Sequence, residues 1–121
     1  SFFKLTTGIR KVDEHKILRA RFNGLKESFQ LHSPKIPKPI RSIYEGRFEE
    51  MQNQANQAYK AWQGFEINFK KLRYEGFRDK SQKKIMQYQR NILRIEYKSI
   101  LNAFSLLLIS MKSNILNNTI N

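Results

Sequence analysis

Cysteine is missing altogether, and 121 residues hold only three prolines and five glycines. Without a thiol the chain has no disulfide framework, no thiolate metal site and no cysteine nucleophile. So little proline and glycine excludes collagen-like and linker-like chains and argues against a turn-rich all-β fold. Acidic residues are scarce too: ten Asp and Glu face 23 Lys and Arg, a formal net charge of +13. There is no Gly-rich phosphate loop and no Ser/His/Asp set. His15 and His32 lie far apart in sequence, with no carboxylate cluster beside either, and read as solvated helix ends rather than as ligands or acid–base groups. Glu49-Glu50 resembles a carboxylate pair, but neighbours on a helix point ~100° apart, so it reads as a solvated face. The chain therefore reads as no enzyme, with no metal and no cofactor of its own.

What is present fits one helical domain. The length is that of a single domain, and 40% hydrophobic with 12% aromatic residues can build a core. The excess positive charge points to RNA, DNA, anionic lipid or an acidic protein surface as a partner. The most apolar window, Ile100 to Met111, has twelve residues. As a helix it reaches ~18 Å of a ~30 Å hydrocarbon core, so a buried or surface-lying helix is expected rather than a span. Ser1 to Leu5 is too short for the apolar core of a secretory leader.

Two breaks divide the chain. Three prolines in Ser33–Pro39 exclude continuous helix and favour an extended linker. Gly76-Phe77-Arg78-Asp79-Lys80-Ser81 combines a helix stop with a cap. The first segment, 8–32, carries Leu18, Phe22, Leu25 and Phe29 at steps of 4, 3 and 4, widened by Ile17. Thr6 or Thr7 is its expected cap, with Asp13 and Glu14 in the first turn. The second, 40–75, is the strongest signal: Tyr44, Phe48, Met51, Ala55, Ala58, Trp62, Phe65, Phe69 and Leu72 alternate steps of 4 and 3 without error. A seam of period 3.5 belongs to a long helix packed on other helices, here ~50 Å. The third, 80–117, repeats the rule from Met86 through Tyr97, Phe104 and Met111 to Ile115, missing only at Arg90. Leu106 to Ile109 broaden that stripe, so cover on more than one side is expected, by the bundle itself or by a neighbour. Residues 117–121 read as a frayed end. The pattern predicts an all-α, three-helix up-down-up antiparallel bundle with long second and third helices.

The charge is uneven. Lys70 to Lys98 hold ten basic and three acidic residues, among them Lys70, Lys71, Arg73, Arg78, Lys80, Lys83 and Lys84. Arg10, Lys11, Lys16, Arg19, Arg21 and Lys26 give the first helix a second patch, while after Lys98 only Lys112 is charged. Phe69, Tyr74 and Phe77 interleave with the basic run and could stack on bases, although Phe69 also lies on the seam.

His15-Lys-Ile-Leu-Arg-Ala-Arg-Phe-Asn-Gly-Leu-Lys26 resembles the opening helix of LYR-motif proteins, with Ala20-Arg21-Phe22 in place of the named tripeptide and Leu25-Lys26 as the later step. Ile40 to Glu50 resembles the family's second helix, with Arg47 and Phe48 at its Arg and Phe. Within the family the likeness is greatest to an accessory subunit of mitochondrial respiratory complex I. The resemblance implies a three-helix bundle on the matrix side of the inner membrane that joins neighbouring subunits of a large complex and docks an acidic acyl carrier protein. Arg19, Arg21, Lys26 and Arg47 would then meet the carrier, while Phe22, Leu25 and Phe48 would line a tunnel for its acyl-phosphopantetheine arm. Phe104, Leu107, Leu108 and Met111 would pack on membrane-adjacent neighbours. The rival expectation is a mitochondrial ribosomal protein that neutralises rRNA phosphates through Lys70 to Lys98.

Overall fold

The computed structural model describes residues 13–120, which form α1 (Glu14–His32), α2 (Lys38–Glu75) and α3 (Lys80–Ile120). No strand occurs among the described residues. Contacts fix the directions. His15 meets Trp62 while Phe29 meets Phe48, so α1 and α2 are antiparallel. Glu66 meets Arg90 while Tyr44 meets Ser110, so α2 and α3 are antiparallel as well. Glu14 pairs with Arg94 and Arg21 bonds Asn102, which makes α1 and α3 parallel. The result is the three-helix up-down-up bundle that the periodicity predicts.

The seams are the core. Ala55, Trp62 and Phe69 of α2 are buried, as are Met86, Tyr97, Phe104, Leu107 and Met111 of α3. Leu18, Phe22 and Phe29 complete them from α1. Phe104 sits at the centre, edge-on to Phe22 at 6.3 Å and to Phe48 at 5.4 Å. Ile17, expected to widen the first stripe, is 52% exposed. Leu107 and Leu108 are buried, whereas Leu106 and Ile109 face outward, so the broad stripe of α3 is covered by the bundle on one side only. α3 is continuous to Ile120 where a frayed end is expected. It also contains an 18-residue window of mean hydropathy 1.4. By length and composition alone α3 is therefore sufficient to cross a bilayer, a longer reach than the twelve-residue window suggests.

The helix ends follow from local chemistry. Asp13 caps α1, its carboxylate accepting from the His15 N–H at 3.0 Å. This replaces the expected cap at Thr6 or Thr7, which lie outside the described residues together with 8–12. The proline segment is less extended than expected, because Ser33–Lys35 form a 3-10 turn with Pro34 in its first turn. Pro39 likewise lies in the first turn of α2, where a missing N–H leaves no bond unmade. Between them Ile36 is buried, and Arg41 reaches back to the carbonyls of Pro34 (2.8 Å) and Ile36 (3.0 and 2.7 Å). At the other connection Gly76 has φ 103°, a conformation that suits glycine, and its N–H closes α2 on Leu72 at 2.7 Å. Asp79 then accepts from the Gln82 N–H (2.7 Å), while the Gln82 side chain accepts from the Arg78 N–H (2.6 Å), a reciprocal start for α3. The Gln82 N–H, followed by Arg78, holds the exposed Asp79 carboxyl below its ordinary value.

Burial raises the Tyr97 hydroxyl above its ordinary 10.0. The folded state therefore keeps a proton that the unfolded chain loses, so stability is intact below about pH 10 and falls as pH climbs through the folded value. The Tyr97 hydroxyl also has no hydrogen-bond partner among the described residues. In urea titrations at neutral pH, Tyr97→Phe should leave stability unchanged or raise it, and it should flatten the alkaline loss. Trp62→Ala should cost ~3–5 kcal/mol in the same assay, since it removes the largest fully buried side chain.

Candidate functional site

α1 is half the length of its partners, and its first residues sit level with Trp62 of α2 and Arg94 of α3. Beyond that level, α2 and α3 continue as a two-helix hairpin ~20 Å long to the turn at 76–79. Among the described residues the pair has no third wall to bury a seam against, and polar and aromatic contacts hold it. Glu66 is only 7% exposed and receives both arms of Arg90, with Nε donating to Oε2 at 2.7 Å. The same guanidinium lies 4.8 Å above the Phe69 ring, which packs on Phe77 at 5.4 Å. Arg90 is the one position where the seam of α3 lapses in sequence, and this pairing is the reason.

The pairing also sorts the cations. Arg90 is taken by Glu66, and Arg94 and Lys98 by Glu14 at 3.1 and 3.6 Å. Among the described residues, Lys70, Lys71, Arg73, Lys80, Lys83 and Lys84 are exposed and make no ion pair. Arg78 only brushes Asp79 at 3.4 Å, an exposed contact worth little. All seven residues of the expected basic patch are thus brought together around the hairpin tip. Tyr74 stands among them 94% exposed, while Phe69 is core and Phe77 is half-buried.

The residues implied by the family resemblance are placed differently. Arg21 donates across to α3, to exposed Asn102 (2.9 Å) and half-buried Ser105 (3.2 Å). Arg19 lies 4.5 Å over the Tyr59 ring and Lys26 4.7 Å over Phe22, while Arg47 is exposed. Phe22 is core, and Leu25 and Phe48 pack against it; Phe48 stacks on Phe29 at 4.2 Å. Phe104, Leu107, Leu108 and Met111, expected to face neighbours, are buried. Phe104, Leu107 and Met111 lie on the seam and Leu108 beside it, which turns all four into the core, while Leu106 and Ile109 take the outer face.

Two open grooves flank these elements. One, of about 530 Å³, runs between α2 and α3 and includes Met51, Ala58, Ala61, Ser99, Ile100 and Ala103. The other, of about 930 Å³, lies where α1 begins, with Trp62, Glu66, Lys70, Arg73 and Arg94 among its walls. His15 lines it too, stacked on Trp62 at 3.6 Å rather than solvated, while His32 Nδ1 lies 2.8 Å from the Ser28 carbonyl. No group of three or more His, Cys, Asp or Glu able to hold a metal occurs among the described residues. Sequence reasoning does not find the Glu66–Arg90 pair, whose sole signal is the lapse at Arg90. No family model, curated protein or solved structure matches the chain.

Arg90→Ala would leave the Glu66 carboxylate without its partner and, because Arg90 is itself 40% exposed, should cost ~1–3 kcal/mol. Glu66→Leu combined with Arg90→Met should recover most of that loss in a double-mutant cycle by urea denaturation.

Proposed function

We propose that the chain is a non-catalytic, LYR-like accessory subunit of a mitochondrial respiratory assembly related to complex I, on the matrix side of the inner membrane. It docks an acidic neighbour by charge. The observation that supports this most is the cluster of unpaired Lys and Arg on a rigidly capped hairpin tip, where nearby Arg90, Arg94 and Lys98 are already taken by carboxylates. Cations so placed are preorganised for a complementary surface and speed its encounter. An acyl carrier protein is one such neighbour. Arg19 and Arg47 are exposed to meet it, while engagement of Arg21 requires exchange of its bonds to Asn102 and Ser105. Access of a phosphopantetheine arm to Phe22, Leu25 and Phe48 requires the Phe29–Phe48 stack to open.

Exposed Tyr74 between Lys71, Arg73 and Arg78 favours a second reading, an rRNA contact in a mitochondrial ribosome. There the ring would stack on a base while the cations neutralise phosphates.

A gentle-detergent pull-down of the tagged chain from its native cells separates the two. Respiratory subunits together with a phosphopantetheine-bearing carrier are the expected company, and Lys80→Gln/Lys83→Gln/Lys84→Gln should reduce the acidic partner ~10-fold or more. Recovery of rRNA and ribosomal proteins, with RNA affinity falling steeply as salt rises, would replace the first reading by the second.

A further inference from the structure

α3 carries a second seam on the face turned away from Tyr97. Starting at Ile85, steps of 3 and 4 lead through Tyr88, Ile92 and Ile95, all 45–69% exposed. The same register passes Ser99 and Asn102 and resumes at Leu106, Ile109 and, after Ser113, Leu116, which are 59–67% exposed. The stripe is ~47 Å long, and every large apolar side chain on it faces solvent.

We propose that this outer seam of α3 is the docking line for one long, acidic, amphipathic helix of another protein. Three observations select that occupant. The stripe is narrow: its flanks are polar at Gln89, Asn91, Glu96, Ser105 and Ser110. An apolar face only two positions wide per heptad at a period of 3.5 is a coiled-coil seam, whereas a helix lying in lipid needs a broader one. At its polar middle the seam opens sideways, since Ser99 lines the 530 Å³ groove whose apolar walls are Met51, Ala58, Ala61, Ile100 and Ala103. An incoming side chain finds apolar cover there that α3 alone does not supply.

Charge then sets the sign of the partner. One flank of the seam carries Lys84, Lys98 and Lys112 at intervals of two heptads, against the single Glu96 on the other. Lys84 and Lys112 make no ion pair among the described residues. Two copies of this chain run antiparallel would set this lysine flank against itself. Run parallel, they would oppose the lysines only to Gln89, Ala103 and Asn117. With each copy at +13, self-association has no compensating pair. A helix with Glu or Asp opposite Lys84 and Lys112, the two lysines of this flank that Glu14 does not engage, satisfies the seam and the charge together.

The test uses the full chain and a fluorescent synthetic peptide of about five heptads, with Ile and Leu at the seam and Glu on both flanks. A peptide with Lys on the flanks is the control, and vesicles with and without anionic phosphatidylglycerol are titrated in parallel. The acidic peptide should bind at least ~10-fold more tightly than the lysine peptide, and Ile92→Ser/Ile95→Ser should abolish that binding with unchanged helical circular dichroism. Lys84→Gln/Lys112→Gln should weaken it ~3-fold or more and reduce its salt dependence. Equal affinity for both peptides, binding insensitive to Ile92→Ser/Ile95→Ser, a dimer by sedimentation that this variant dissolves, or vesicle binding through these residues in place of peptide binding would each overturn the proposal. None of these readouts depends on which assembly the chain belongs to.

Discussion

Phe104 touches Phe22 of α1 and Phe48 of α2, and Phe48 in turn lies flat on Phe29. The three helices meet at this point, and aromatic rings make it. Edge-on and stacked rings carry both area and direction, so they fix rotation about each helix axis as well as burying surface. From this point outward every other feature follows by register. Trp62 and Tyr97 fall further along, under His15 and past buried Ala55 and Leu101, and Glu66 with Arg90 forms the layer beyond them. α1 does not reach that last layer among the described residues, so an ion pair stands where a third seam would close the core.

That substitution explains the electrostatic character of the molecule. A buried carboxylate demands a cation, and Glu66 takes Arg90; Glu14 takes Arg94 and Lys98 near the same level. Carboxylates are few, and those near the turn, Glu75 and Asp79, make among the described residues only the weak Arg78 ion pair, so the cations there are left for something outside the chain. The basic tip and the ion-paired neck are thus two consequences of one shortage. The Asp79 cap at the tip is consistent with this, since its carboxylate serves the Gln82 N–H first and Arg78 only weakly.

Much of the fold is legible in the residues. The alternating 4 and 3 steps of Tyr44 to Leu72 are buried or half-buried at every position, because a seam of that period has one geometric solution. Gly76 and Asp79 mark the turn for reasons of φ and capping that hold without tertiary context. Ile36 is different: it is buried although it lies in a proline-rich connection, since the 3-10 turn swings it under the bundle and no periodicity announces that. The site was legible in charge but not in pairing. Lys70 to Lys84 cluster in sequence and in space alike, whereas Arg21 reaches across to Asn102 and Ser105 of α3, partners 81 and 84 residues away. The second seam was hidden by the first, because Leu106 to Ile109 belong to both and read as one broad stripe.

The two connections have opposite tolerances. Between α1 and α2, Ile36 is locked into the interior and Arg41 grips two backbone carbonyls, so the corner has no slack. Between α2 and α3, the reversal is confined to four residues, three of them exposed and the fourth, Phe77, half-buried against Phe69. Lengthening of the chain during divergence would therefore accumulate at the hairpin tip, beside the lysines, while the α1–α2 corner kept its length. A tip free to grow beside a corner that is not lets the charged end be remodelled for a new neighbour while the aromatic centre stays as it is.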